Sequence, residues 1–357
     1  MISRNACYWI WITLSIGYNN PKVKRISEMY SDVSAFYYGG ISEWRLCGIF
    51  SQKDIERFSS TGLDDAKKIV DRCIECNYSI LCIDDELFPK CLYNIECPPA
   101  LIYINGVMPD IDNTFSIGIV GTRRATKYGI ENSYRFAYAL SKYGTIIVSG
   151  GALGVDGASH RGALATDGIT ICVRGCGLNC SYLRENSDIR STIPKRGAVI
   201  TEYPPDETPR NYYFPARNRI IAALSDGLLV MEAGKKSGSL ITANLAAEQG
   251  KTIFALLGNN SPQNEGSNAL IKEGLAIPVT DFMDILCEFD SLYATTDDEF
   301  DIDNISLADT GNFPVKGIRK QAPARIYVNK QNDQPPAKTA VPYVSEKSET
   351  VVLKTCS

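Results

Sequence analysis

The sequence lacks the overall positive charge that often marks a nucleic-acid-binding protein. Its 357 residues include 37 Lys and Arg against 41 Asp and Glu, which gives a formal net charge of −4. The charge is uneven, however: residues 115–286 contain 18 basic and 15 acidic residues (net +3), whereas the remainder contains 19 basic and 26 acidic residues (net −7). The centre of the chain is therefore the better place to look for an anionic ligand.

A convincing signal peptide or membrane-spanning segment is also missing. The apolar N-terminal stretch YWIWITLSIG (8–17) is too short for a span and has no small-residue cleavage site. We therefore predict a buried first helix, a cytoplasmic protein and no membrane partner. The twelve cysteines are scattered, and a chain of this length does not need disulfide bonds, so we expect reduced thiols.

Two common phosphate-binding motifs are absent. The loop after residues 116–120 reads Gly-Thr-Arg-Arg-Ala-Thr and has one glycine instead of the three of G-x-G-x-x-G. The next predicted strand, 145–149, is not followed by the acidic residue that would hold a ribose, and G-x-x-x-x-G-K-[ST] does not occur. These absences disfavour a dinucleotide site and exclude a P-loop NTPase.

No metal site, cofactor or catalytic constellation is predicted. Cys172, Cys176 and Cys180 are spaced C-x3-C-x3-C, but Cys172 lies within a predicted strand and no fourth ligand is evident, so buried thiols are favoured. Asp156 and the only histidine, His160, resemble half of a catalytic pair, but no nucleophile is placed by spacing. We interpret Asp156 as a helix N-cap against which His160 packs.

The sequence divides into three regions. Residues 1–78 predict a small helical domain, with helices near residues 7–17, 21–31, 52–58 and 64–76. Residues 79–290 form the second region, in which 79–114 contribute two strands and a proline-marked connection. Residues 291–357 are rich in Pro, Lys and polar residues without a sustained period, which predicts a disordered tail.

The second region predicts an α/β fold with a doubly wound, mostly parallel sheet. Its apolar runs are continuous, as expected for strands covered on both faces, and they alternate with helical segments. The predicted strands are 116–120, 145–149, 169–173, 198–200, 227–232 and 252–257, and the predicted helices lie near 131–142, 156–166, 182–191, 216–224 and 239–249.

Glycine follows five of these strands, which points to a phosphate-bearing ligand. Ligands of open parallel sheets bind at the carboxyl ends of the strands, where glycine permits close backbone approach and helix N-termini offer unpaired N–H groups. A tight turn would explain any one of these glycines, but five together are harder to explain in that way. The candidate binding residues in these loops are Gly121, Thr122, Arg123, Arg124, Gly150, Gly151, Ser237, Gly238 and Ser239.

The segment YYFPARNRII (212–221) adds aromatic and basic groups. We predict that Pro215 sets a turn and that Arg217, Asn218 and Arg219 open a helix, where arginines suit a backbone phosphate. Phe214 lies just upstream, and arginines interleaved with aromatic residues are typical of single-stranded nucleic-acid binding.

An alternative reading of the same segment is structural. Phe214 would then be a core residue, and an arginine of the segment would pair with Glu202 or Glu232, which end two predicted strands. Glu202 and Glu232 could also form an acid/base pair, but ion pairs with Arg217 or Arg219 are favoured.

Several motifs, in this order, resemble the bacterial DNA-processing protein A (Smf) family. They are IVGTRRATKYG, VSGGALGVDGASHRGAL, GCGLN, FPARNRII, SGSLITA and EGSNALIKEGLA, and the upstream segment ILCIDDELFPKCLYNIECPPALIYINGV is similar to that family as well. The resemblance covers about residues 1–287. FPARNRII and SGSLITA are specific to it, whereas the glycine loops alone are not.

The resemblance implies a Rossmann-like core (79–290) preceded by a helical SAM-like domain (1–78). It implies single-stranded DNA binding, dimerisation through the core and delivery of the strand to the RecA recombinase in natural transformation and homologous recombination, with no established catalysis. By motif, Arg123, Arg217 and Arg219 correspond to the family's arginines, and Arg184 lies where a basic residue often follows the third loop.

Three departures from the family pattern stand out. Leu153 occupies a position that is usually basic, Leu183 replaces a usual proline, and the tail after residue 290 does not resemble a winged-helix domain. Arg124 is a candidate to compensate for Leu153.

A competing hypothesis is a nucleotide phosphoribohydrolase of the lysine-decarboxylase-like fold. That family needs P-G-G-x-G-T-x-x-E after the corresponding strand. This chain has EAGKKSGSLITA there, with no glutamate until Glu248, which counts against the enzyme.

Overall fold

Five helices form the N-terminal region of the structure, a computed structural model that describes residues 1–289. The four predicted helices are present, and a fifth, α3, was not predicted because Gly39 and Gly40 interrupt its apolar pattern; Gly40 has a φ of 62° and kinks the helix. The predicted disordered tail lies outside the described residues. The helices are α1 (Ala6–Ile16), α2 (Lys22–Met29), α3 (Val33–Leu46), α4 (Gln52–Ser60) and α5 (Leu63–Glu75).

Helix α1 is buried, as its sequence predicts. Trp9 and Trp11 are fully enclosed, and the Trp11 ring lies 5.0 Å from that of Phe58 on α4. Ser51 and Asp54 form a capping box at the start of α4, which fixes where that helix begins. Within residues 1–289, no helix is long and apolar enough to cross a membrane.

A nine-stranded sheet forms the rest of the fold, in the order β1-β2-β6-β5-β4-β3-β7-β8-β9. Strand β2 pairs antiparallel with β1 and β6, and all other neighbours are parallel, which confirms a mostly parallel α/β sheet. The strands are β1 (Ser79–Cys82), β2 (Leu101–Gly106), β3 (Ser116–Val120), β4 (Ile146–Ser149), β5 (Thr170–Arg174), β6 (Ala198–Thr201), β7 (Gly227–Val230), β8 (Thr252–Leu256) and β9 (Ile277–Val279).

The central strands are buried over their whole length because helices cover both faces. Strand β9 was not predicted, since it is only three residues long and contains Pro278. The covering helices are α6 (Lys90–Tyr93), α7 (Lys127–Lys142), α8 (Val155–Ala165), α9 (Ser187–Thr192), α10 (Tyr213–Ala223), α11 (Gly238–Glu248), α12 (Glu265–Lys272) and α13 (Met283–Glu288).

Short 3₁₀ segments, Arg184–Asn186 and Ile193–Lys195, flank α9. The segment predicted as one helix near 182–191 is therefore broken up. Leu183 precedes the first 3₁₀ turn in a left-handed conformation, with a φ of 59°, which a continuous helix could not accommodate.

Candidate nucleic-acid interface

A groove of about 500 Å³ runs along the carboxyl edge of the sheet, between the loop after β3 and the starts of α10 and α11. The parallel arrangement brings these loops together, as the sequence predicts. The groove contains ten of the predicted site residues: Gly121, Thr122, Arg123, Arg124, Phe214, Arg217, Asn218, Ser237, Gly238 and Ser239.

The loop after β3 supplies the exposed positive charge of the groove. Arg123 and Arg124 are both solvent-exposed, and neither forms an ion pair with any carboxylate in residues 1–289. Gly121 is needed here because a Cβ atom would lie 2.9 Å from Val155 Cβ. The loop can therefore bring its arginines close to α8 and direct them into the groove.

An aromatic wall lies beside these arginines. The Arg123 guanidinium sits over the Phe214 ring at 5.3 Å from its centroid, and the Tyr182 ring lies 5.4 Å from that of Phe214. Phe214 is half-buried, so it is neither a core residue nor fully exposed. Tyr182 is not among the residues predicted from the sequence, although it lies only three residues after the GCGLN motif (175–179).

Helix α10 begins earlier than predicted. Its first residue is Tyr213, so Pro215 lies within the first turn rather than before the helix. This position is allowed because the N–H that proline lacks has no intrahelical partner there. As a consequence, Arg217 and Arg219 lie in the second turn, two residues apart, and their side chains leave the helix in different directions.

Arg217 forms part of the groove floor. It is 5% exposed, and its Nη1 donates to the carbonyl oxygens of Gly150 (2.8 Å) and Val173. Its Nε is buried without a hydrogen-bond partner, and no carboxylate of the described residues pairs with it. Burial lowers the pKa of this guanidinium, and the nearby charge of Asp156 opposes that shift. Arg217 is thus a buried cation whose charge no ion pair neutralises.

The loop that follows β4, with Gly150 and Gly151, accommodates Arg217. A Cβ atom at Gly150 would lie 2.6 Å from Arg217 Nη2, and Gly151 has a φ of 66°, which favours glycine. Both glycines line a small cavity that adjoins the groove and shares Arg123, Phe214 and Arg217 with it. Gly150 therefore makes room for the arginine, whereas a Cβ atom at Gly151 would lie 2.6 Å from Cys172 Sγ.

The N-terminus of α11 closes the other side of the groove. Ser237 is the N-cap and accepts a hydrogen bond from the Ser239 N–H at 3.4 Å, and the two hydroxyl oxygens are 2.7 Å apart. Gly238 contributes a backbone with open space where a side chain would be. Hydroxyl groups and N–H groups at the start of an eleven-residue helix are suited to an anion.

Arg219 lies outside the groove, which corrects the expectation that all three arginines share it. Its Nη2 forms a buried ion pair with Glu202 at 2.7 Å, and its Nε donates to the Cys97 carbonyl at 2.8 Å. The residue lines a separate cavity of about 710 Å³ between the region around α6 and the end of α11. The alternative prediction for YYFPARNRII, an ion pair between one of its arginines and Glu202, is confirmed for Arg219.

Glu232 accepts hydrogen bonds from Thr126 rather than pairing with Arg217 or Arg219. Its two carboxylate oxygens accept the Thr126 hydroxyl at 2.6 Å and the Thr126 N–H at 2.8 Å, at the start of α7. Among the described residues it forms no ion pair with an arginine, so the predicted pairing is wrong for Glu232. The carboxylate instead stabilises the N-terminus of α7, where a negative charge is favourable.

Two further residues of the sequence analysis lie away from the groove. Arg184 is exposed in the first 3₁₀ turn and lines neither the groove nor the small cavity beside it. Leu153 lines a third, separate cavity with residues of α7 and α8. Arg124 lines the groove, but nothing in the structure links it to the position of Leu153.

Asp156 and His160 do not form a catalytic pair. The N-cap of α8 is Gly154 rather than Asp156, with a φ of 76° that requires glycine, and Asp156 lies in the first turn. The His160 Nδ1 is 2.8 Å from the Thr170 hydroxyl, and burial lowers the pKa of His160 to about 3. Within residues 1–289, no cluster of His, Cys, Asp or Glu could hold a metal ion.

Comparison with known proteins identifies the family of this fold and site. The family model described as DNA recombination-mediator protein A matches residues 79–290, and the chain therefore belongs to that family. It is 39% identical to Protein Smf of Escherichia coli over 212 residues, which are 59% of this chain and 56% of the relative. It is also 39% identical to the DNA processing protein DprA of Bacillus subtilis, over 54% of this chain and 65% of the relative.

Solved structures agree with this assignment. The DNA processing protein A of Streptococcus pneumoniae superposes with a TM-score of 0.70 at 31% identity, covering 81% of this chain and 99% of that one. The protein from Helicobacter pylori, described for its unique single-stranded DNA binding mode, superposes with a TM-score of 0.55 at 33% identity, covering 59% of this chain and 95% of that one. None of these names specifies a catalysed reaction.

Proposed function

We propose that this chain binds single-stranded DNA in the groove at the carboxyl edge of the sheet. The observation that carries the proposal is the arrangement of three cations around one aromatic wall: among the described residues, Arg123 and Arg124 are exposed and form no ion pair, and Arg217 is buried and forms none either. The Helicobacter pylori relative, described for its single-stranded DNA binding mode, supports the choice of ligand.

In this proposal the arginines bind the phosphate groups of the DNA backbone. Arg123 and Arg124 can move to meet a backbone, because no carboxylate of residues 1–289 holds them. Arg217 is fixed in place by two carbonyl groups, so it presents a preorganised positive charge at the floor of the groove. Serine hydroxyls and N–H groups at the start of α11 provide further donors to a phosphate, as helix N-termini commonly do.

In this proposal the bases stack on the aromatic wall. Phe214 and Tyr182 lie side by side at the groove, and base–aromatic stacking is tolerant of sequence because every base has a π-face. Duplex DNA binds less well in this scheme, because its bases are already stacked and paired and cannot reach the wall. This combination of stacking and phosphate contacts distinguishes a single-strand site from a duplex site.

The finer roles rest on family membership alone. We propose that the chain acts in the cytoplasm, dimerises through the Rossmann-like domain, and delivers single-stranded DNA to RecA in natural transformation and homologous recombination. The phosphoribohydrolase alternative has no support in the site: the loop after β7 begins α11 without the required glycines or glutamate.

The test is a salt titration of binding to a labelled single-stranded oligonucleotide. We expect the double variant Arg123→Ala/Arg124→Ala to bind more weakly and to flatten the slope of log affinity against log salt by about 1.4, since each single-strand phosphate contact contributes about 0.7. The matched control is Lys53→Ala/Arg57→Ala, which removes two exposed positive charges on α4, outside the groove. An equal change of slope in both variants would show that only net charge matters and that the groove is not the site.

A further inference from the structure

One carboxylate lies inside the arginine-lined groove. Asp156, in the first turn of α8, is 7% exposed and lines the groove together with Arg123, Arg124 and Arg217. A negative charge at this place repels the phosphates that the arginines attract. Its presence in a site for a polyanion therefore calls for a role that outweighs the repulsion.

Among the described residues, Asp156 forms no ion pair. Its Oδ2 accepts the Ala152 N–H at 3.2 Å, and Ser149 is its other hydrogen-bonding neighbour. No Lys or Arg of the described residues forms an ion pair with it, although Arg217 is close enough to affect it electrostatically. Burial raises the pKa of the carboxyl group, and the charge of Arg217 opposes that shift.

A buried carboxylate is costly unless it accepts hydrogen bonds and is paired. The Ala152 N–H and the neighbouring Ser149 use only part of the acceptor capacity of two oxygens, which can take about four hydrogen bonds. Asp156 is one of the residues that line the groove, so a ligand bound there lies next to its side chain. A ligand that carries a hydrogen-bond donor would supply a further partner.

We propose that Asp156 selects the base in the groove, accepting a hydrogen bond from an exocyclic amino group and so favouring cytosine over thymine. This inference rests on the proposed function, since it names the bases that the same groove prefers. Cytosine offers an N4 amino donor, which a carboxylate accepts, whereas thymine offers the O4 acceptor at that position. The thymine N3–H lies between two carbonyl groups, which a carboxylate repels.

The wall of Phe214 and Tyr182 supplies the stacking that any base can use, so it does not discriminate. Asp156 adds the discrimination because it is the one carboxylate among the residues that line the groove. The position of the Asp156 side chain is fixed by α8 and by the hydrogen bond from the Ala152 N–H to Oδ2. The carboxylate is therefore held in place before a base binds.

The test compares the full-length chain on oligonucleotides of equal length at one salt concentration near pH 7.5. We expect oligo(dC) to bind about five-fold more tightly than oligo(dT) or better, the discrimination typical of a good base contact. Oligonucleotides of 5-methylcytosine should bind like oligo(dC), which excludes the thymine methyl group as the cause. Oligonucleotides of 2-pyrimidinone, which lacks the amino group, should bind like oligo(dT).

The variant Asp156→Asn keeps the size of the side chain and an oxygen for the Ala152 N–H, but presents an amide donor. It should abolish or invert the preference for oligo(dC) while improving the affinity for oligo(dT), because the repulsion of phosphates is lost. Glu185→Gln, an exposed charge outside the groove, is the matched control and should leave the ratio unchanged.

The outcomes separate this inference from the proposed function. If the wild-type chain binds oligo(dC) and oligo(dT) equally, or if 2-pyrimidinone binds like cytosine, Asp156 does not select the base although the groove binds DNA. If Asp156→Asn folds and keeps the wild-type ratio, the inference is likewise overturned. Absence of binding to every single strand would overturn the proposed function and this inference with it. Should Asp156→Asn fail to fold, the 2-pyrimidinone series on the wild-type chain still decides.

Discussion

Helix α10 contains two arginines that lie in different surroundings. Arg217 and Arg219 are both 5% exposed and lie two residues apart in the same motif. Arg219 forms an ion pair with Glu202 at 2.7 Å, whereas Arg217 donates hydrogen bonds to carbonyl oxygens and lines the groove. One motif therefore contains both an arginine that forms a buried ion pair and an arginine whose positive charge no ion pair neutralises.

The aromatic residues at the start of α10 show the same division. Tyr213 is buried and stacks on Tyr203, with ring centroids 3.9 Å apart. Phe214, the next residue, is half-buried under the Arg123 guanidinium. The helix thus separates a packed side, with an ion pair and stacked tyrosines, from a groove side with unneutralised cations and an accessible ring.

The largest expected effect is on stability, from Arg219→Met. This change leaves the Glu202 carboxylate buried without its partner, which typically costs about 3–5 kcal/mol in the free energy of unfolding. Urea denaturation at 25 °C measures the loss. Single-stranded DNA binding by the folded fraction should be unchanged, since Arg219 does not line the groove. The double variant Arg219→Met/Glu202→Met should recover much of the stability, because an apolar pair leaves no unpaired charge.

Arg217→Met should produce the reverse pattern. The carbonyl groups of Gly150 and Val173 lose the donor that Arg217 Nη1 supplies. The free energy of unfolding should therefore fall by only about 1–2 kcal/mol. Affinity for single-stranded DNA should fall about ten-fold or more, as expected for a lost charge-assisted hydrogen bond, and the salt slope should decrease by about 0.7. Fluorescence anisotropy across a salt series measures both. A variant as unstable as Arg219→Met, with unaltered binding, would remove the distinction between the two arginines.

The neighbouring residues Tyr213 and Phe214 give a further test of the difference between the packed side and the groove side of α10. Phe214→Ala should weaken single-stranded DNA binding by about 1–3 kcal/mol without changing the salt slope, because stacking releases no counterions. Tyr213→Ala should instead lower the melting temperature, because it removes a stacked ring from the packed side. If Phe214→Ala lowers the melting temperature as much as Tyr213→Ala and leaves binding intact, Phe214 is a structural residue.

Much of this architecture could be predicted from the sequence. The strands of the parallel sheet are continuous apolar runs bounded by glycine, and strand–helix alternation then places their carboxyl ends at one edge. Helix α3 and strand β9 could not be found in this way, because Gly39 and Gly40 interrupt the first and the second has only three residues, one of them Pro278.

The candidate site was predictable as a set of loops but not as a set of contacts. The glycine loops and the arginines of FPARNRII carry their residue types in the sequence. The sequence does not state where α10 begins, however, and its start at Tyr213 decides that Arg217 and Arg219 face different surroundings. The pairing of Glu232 with Thr126 and that of Glu202 with Arg219 depend on the tertiary fold in the same way.

The smallest expected effect is on the pH dependence of stability and comes from His160, which is buried in α8. Thr170 donates its hydroxyl proton to the Ile147 carbonyl at 2.7 Å, so it accepts from His160 Nδ1–H, and the His160 Nε2 is left buried without a partner. Burial, together with the charges of Arg161 and Arg217, lowers the pKa of His160 to about 3 from a usual value of 6.5. The unfolded chain therefore binds a proton below pH 6.5 that the folded chain does not take up until about pH 3.

Protonation of His160 thus favours unfolding as the pH falls below about 6.5, and the stability contributed by the neutral imidazole is fully present only above that value. Between pH 7.5 and 5.5 the free energy of unfolding should decrease by about 1 kcal/mol more in the wild-type chain than in His160→Asn, whose amide can still donate to Thr170. Denaturant titrations at both pH values measure the difference. Equal pH dependence in the two proteins would show that His160 takes up its proton in the folded chain as readily as in the unfolded chain.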